Sequence, residues 1–135
     1  MTVVLEARRY RCVQCEAVIL VVPADVLPRR HYRAQAIGLA LALFGLLGWT
    51  APAVRAAVST WGIVGASAAR TWLTVRRWIR AVVAGVLWVG VRPCPEGTVP
   101  RAQAERAAAT LAAWAPVGAP GSLAHQACLG ALHRV

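Results

Sequence analysis

Between Val26 and Pro95 the chain has no aspartate and no glutamate. The same stretch holds nine arginines: Arg29, Arg30, Arg33, Arg55, Arg70, Arg76, Arg77, Arg80 and Arg92. Ordinary protein surfaces interleave both signs of charge, which limits self-repulsion. A stretch this one-sided calls for negative charge from outside, and nucleic-acid phosphate is its commonest source. Lysine is absent throughout, so all the side chains behind the net charge of +10 are arginine. With abundant Ala, Gly and Val, that absence suggests a GC-rich genome. The excess of positive charge therefore says more than the choice of arginine.

Carboxylates are scarce as well. There are five, Asp25 is the only aspartate, and none lies in the middle of the chain. A nuclease or transposase centre needs several clustered carboxylates to hold two metals. No glycine-rich phosphate loop follows a strand, and no nucleophile elbow is present. An enzyme is not expected.

Long hydrophobic runs are also missing, although 59% of the residues are hydrophobic and mean hydropathy is +0.56. Ile37 to Trp49 is the longest run; as a helix it would cover about 20 Å of a hydrocarbon layer roughly 30 Å thick. Ala81 to Val91 is shorter. Glu6, Arg8 and Arg9 interrupt the N-terminus before any stretch long enough for a secretory signal. A cytoplasmic, nucleoid-associated protein is expected. With no such signal, the four cysteines point to metal binding or free thiols in a reducing compartment.

Read along the chain, the pattern predicts a mainly α protein of three parts. Residues 1–28 read as a β-hairpin: a strand over Val3 to Arg11, a C-x2-C knuckle at Cys12 and Cys15, and a strand over Ala17 to Val22 stopped by Pro23. Strand, C-x2-C, strand is half a zinc ribbon. Residues 29–90 read as a helix-turn-helix core. Its first helix starts near His31 to Ala34, runs to about Leu47, is apolar nearly all round and ends at Gly48. Thr50 caps a short helix through Val58, with Pro52 in its first turn. Ser59 to Ser67 reads as a turn. Residues 91–135 read as a helical extension. After an irregular stretch to Gly97 it holds helices over about Pro100 to Trp114 and Ser122 to His133, which either dimerise or pack back on the same domain.

The helix predicted over Thr71 to Val83 is the most informative element. At 100° per residue, Leu73, Arg76, Arg77 and Arg80 share one arc, and Val75, Trp78, Ile79 and Val82 lie opposite. One face suits a core and the other a polyanion. A recognition helix would present Trp72, Leu73, Thr74, Arg76 and Arg77 early and Arg80 a turn later. Arg70 precedes it, and Arg29, Arg30 and Arg33 form a second basic cluster. Arginine either reads guanine or holds phosphate. Trp72 is the one tryptophan kept as a base contact; the others are expected in the core.

Tetrahedral zinc needs four ligands, and Cys12 and Cys15 supply two. The missing pair is expected upstream, with Met1 a truncated or misassigned start. His125 and Cys128, three apart on the last helix, are a second completion, and a metal-free knuckle is a third.

Three segments, RRYRCVQCEAVILVVPADVLPRRHY, AIGLALALFGLLG and TWLTVRRWIRAV, together resemble a family of bacterial mobile-element proteins. These join a zinc ribbon to a helix-turn-helix and are related to the N-terminal regions of transposases. The resemblance covers about the first two thirds of the chain. It implies zinc at Cys12 and Cys15 and places Arg76 and Arg77 at DNA. The chain departs from it in having no earlier C-x2-C and in having Glu16 where such knuckles often have glycine.

The expected function is double-stranded DNA binding, as an accessory or remnant of a mobile element, with a homodimer as a further partner state. The alternative is a membrane-associated helical protein whose arginines flank apolar helices. A third reading, an open reading frame shaped by base composition, predicts no cooperative unfolding.

Overall fold

The computed structural model describes residues 7–23, 26, 32–59 and 72–133. The chain begins with a two-stranded antiparallel hairpin, β1 (Arg8–Arg11) and β2 (Val18–Val21), and continues into helices. The pairing sets Arg8 opposite Val21 and Arg11 opposite Val18. The tip is a tight turn in which Cys12 N–H donates to Ala17 O (2.9 Å) and Glu16 N–H to Cys12 O (3.1 Å). Glu16 closes it in the left-handed region at φ +59°. Every residue of both strands is exposed, so the hairpin contributes nothing to the core.

Five helices follow among the described residues: α1 (Ala34–Gly45), α2 (Ala51–Val58), α3 (Thr74–Val83), α4 (Pro100–Ala113) and α5 (Leu123–His133). Nine of the twelve residues of α1 are buried, as its all-round apolar sequence predicts. The chain leaves α1 through Gly48 at φ +69°, and Trp49 N–H returns to Leu43 O at 2.9 Å. Thr50 then caps α2, its hydroxyl accepting from Ala53 N–H at 3.4 Å, and Pro52 sits in the first turn. Ser122 accepts from His125 N–H at the start of α5.

The most extensive packing is among α1, α4 and α5. Glycine makes each of those three crossings possible, because only a residue without Cβ lets the backbones approach this closely. A Cβ on Gly38 of α1 would lie 2.6 Å from Ala131 Cβ of α5. One on Gly45 would strike the α4 backbone at Ala104 and Glu105, and one on Gly130 of α5 would strike the Leu111 carbonyl of α4. The alanines that make α4 and α5 look featureless in sequence serve the same end. Ala104, Ala107, Ala108, Ala112, Ala124, Ala127 and Ala131 are all buried. A single hydrophobic cluster runs from Ala34 to Ala131, so the core crosses residue 90 without a break. The two C-terminal helices pack back onto α1.

The smaller helices α2 and α3 both lie against α1, and α3 also touches α4. The turn expected between them falls in residues 60–71, outside the described residues, together with Trp61, Arg70 and Thr71. After α3, Trp88 adopts φ +50° and donates its indole N–H to Ala131 O of α5 at 3.2 Å, pinning the connection to the bundle.

No helix among the described residues is long and apolar enough to cross a membrane. Most of the apolar run beginning at Ile37 is instead enclosed by protein, with Ile37, Ala40, Leu41 and Ala42 fully buried, and only its end at Leu47 and Trp49 is exposed.

Candidate nucleic-acid interface

The site is built on α3. Its apolar positions recur at helical spacing, and Val75, Trp78, Ile79 and Val82 are buried against the bundle. That fixes the rotation of the helix and turns the opposite arc outward. Arg76, Arg77 and Arg80 are all exposed there, and Leu73 beside them is 51% exposed. Thr74 is half-buried at the first turn. Among the described residues none of the three arginines makes an ion pair or hydrogen bond. Their charge is available to a ligand.

The structure corrects one expected contact. Trp72 is buried, 6% exposed, and its ring stands edge-on to Trp78 (5.4 Å between centroids) and Tyr32 (6.4 Å). Tyr32 is in turn edge-on to Trp78 at 5.0 Å, and its hydroxyl donates to Ser59 Oγ at 2.9 Å. The trio seats the start of α3 on the start of α1. Trp72 belongs to the core and has no face left for a base. Trp49, expected in the core, is 41% exposed.

Arg33 is the N-cap residue of α1 and half-buried, bridged in antiparallel fashion to Val26. It follows Tyr32, whose ring meets Trp72 and Trp78 on the buried side of α3. Arg29, Arg30 and Arg70 lie outside the described residues.

An open cleft of about 490 Å³ borders the arginine face. The start of α2 (Thr50, Ala51, Pro52), the start of α3 (Leu73, Arg76) and the start of α4 (Val99, Pro100, Arg101) meet there over Phe44. Helix starts carry partial positive charge, so the three that meet there add to Arg76. Arg101 is a residue that sequence reading missed. Its guanidinium donates to the carbonyls of Phe44 and Trp49 and lies 4.4 Å over the Phe44 ring. It closes the negative end of α1 from a helix more than fifty residues away, and no local pattern could have shown that.

At the hairpin tip Cys12 is half-buried and Cys15 exposed. The backbone N–H groups of Cys15 and Gln14, then the Cys15 side chain, hold the Cys12 thiol below its ordinary pKa. That turn favours a thiolate. Burial instead pushes the Cys128 thiol up, and His125 beside it is exposed. Among the described residues no three His, Cys, Asp or Glu side chains converge, so His125 and Cys128 do not complete a site with Cys12 and Cys15.

Fold and site together define a small helical bundle with one arginine-faced helix and a projecting dithiol hairpin. The chain matches no protein-family model, no curated protein and no solved structure.

Proposed function

We propose that the protein binds double-stranded DNA through the exposed face of α3. One observation carries the reading: the buried arc of α3 is wholly apolar, and its outer arc presents Arg76, Arg77 and Arg80 with no acidic neighbour on the helix. An α-helix fits the major groove, where arginine meets guanine O6 and N7 and an apolar side chain such as Leu73 meets a thymine methyl. Arginines at the edges of the face meet phosphate. The cleft beside Arg76 is suited to a backbone phosphate on the flank of the groove. By its resemblance to mobile-element proteins the chain would act as an accessory or remnant of such a system, contributing binding and no chemistry of its own.

The test is duplex-DNA affinity across a salt series for wild type and for Arg76→Ala/Arg77→Ala/Arg80→Ala. Each phosphate contact contributes about 0.9 to the slope of log K against log salt, so loss of all three arginines lowers the slope by up to about 2.7. The variant should keep its helical circular dichroism, because all three side chains are exposed. Equal affinities and slopes for the two proteins would remove α3 from the interface. Absence of salt-dependent binding in the wild type would remove DNA as the ligand.

A further inference from the structure

Among the described residues the hairpin has no core of its own and borrows none from the bundle. Val18, Ile19, Leu20 and Val21 are between 49% and 60% exposed, and neither strand has an extended contact with any of the described helices. An isolated two-stranded hairpin is at best marginally stable in water. At its tip stand two thiols, three residues apart on a turn closed by backbone hydrogen bonds. A closed zinc site takes four ligands in a tetrahedron, and thiolates are among its usual donors. This hairpin brings half of that set. No further His, Cys, Asp or Glu among the described residues joins it.

We propose that the hairpins of two copies of the chain meet on a single Zn²⁺, each copy giving Cys12 Sγ and Cys15 Sγ. Two copies related by a two-fold axis supply four thiolates, in two symmetry-related pairs, without drawing on the bundle. The step balances as one Zn²⁺ and four thiols giving one zinc tetrathiolate and four released protons. That centre carries a net charge of −2, and the arginines of β1, with Arg11 next to Cys12 and Arg9 and Arg8 further along the strand, supply the opposite sign. Arg11 is already held at 2.7 Å by Glu16, which limits repulsion between the two basic strands. Joining the hairpins also covers apolar side chains that are now in water. The inference uses no residue of α3 and stands apart from the DNA reading.

The experiment uses the full chain, reduced and stripped with EDTA, then titrated with zinc chloride while sedimentation and metal content are followed. The proposal expects one zinc per two chains, a doubling of mass on metal addition, and reversal by EDTA. Cobalt chloride should give the absorption of a tetrahedral tetrathiolate at the same stoichiometry. Cys12→Ser/Cys15→Ser should keep its helical circular dichroism and never double. Cys94→Ser/Cys128→Ser should behave as wild type. One metal per chain without a mass change would mean that the chain completes its own site, and the proposal falls. It falls equally if no metal binds, if the doubling survives EDTA, or if the Cys94/Cys128 variant loses it.

Discussion

Arginines that look alike in the sequence do different work. Arg76, Arg77 and Arg80 stand in solvent without partners among the described residues, whereas Arg101 is spent on the end of α1. Two backbone carbonyls and an aromatic ring converge on its guanidinium, and the helix end behind them is the negative one. Removing it leaves those carbonyls to water. Arg101→Ala is therefore expected to lower stability by about 1–2 kcal/mol, read as a shift in the urea midpoint at unchanged m. It should leave the exposed face of α3 in place. A midpoint equal to wild type would mean that these contacts are worth nothing in solution.

Among the elements, α3 and the glycine crossings show how differently local pattern and packing are written. The two faces of α3 follow from helical periodicity alone, so their assignment needed no knowledge of the neighbours. The glycines of α1 and α5 carry no such signal. Their importance appears only when another backbone is found where a Cβ would stand. Gly130→Ala drives a methyl group into the Leu111 carbonyl, and neither backbone can retreat without parting α4 from α5. The expected loss is about 3 kcal/mol or more, at the upper end of overpacking costs. Gly97 makes the control. It has φ +78° and nothing within 4 Å, so Gly97→Ala should cost only the backbone strain, about 1 kcal/mol. Equal losses at the two positions would contradict the close α4–α5 crossing.

At the scale of the whole molecule, the bundle is built around α1 with a single hydrophobic cluster. A chain cut after Val91 lacks α4 and α5 and would expose the fully buried Ile37 and Leu41. It is expected to lose cooperative thermal unfolding and to bind hydrophobic dyes, while the intact chain unfolds in a single transition. Cooperative unfolding of the truncated chain would show that residues 32–91 form a domain of their own. Cooperativity of the intact chain bears equally on the reading of the sequence as a product of base composition alone.

The sequence by itself determined what depends on neighbours a few residues apart. The hairpin with its thiol turn, the Thr50 cap and Pro52 of α2, the exit through Gly48 and the two faces of α3 are of this kind, because caps, turns and periodicity act within one or two helical turns. Tertiary structure decided which surfaces meet. It folded the two C-terminal helices onto α1, because small side chains allow a close approach without announcing a partner. It drew Trp72 into an aromatic trio with Trp78 and with Tyr32, forty positions away, since a first-turn tryptophan reads alike whether it faces water or a core. It set Arg101 at the end of α1, because a helix end accepts charge from whatever side chain the fold brings there.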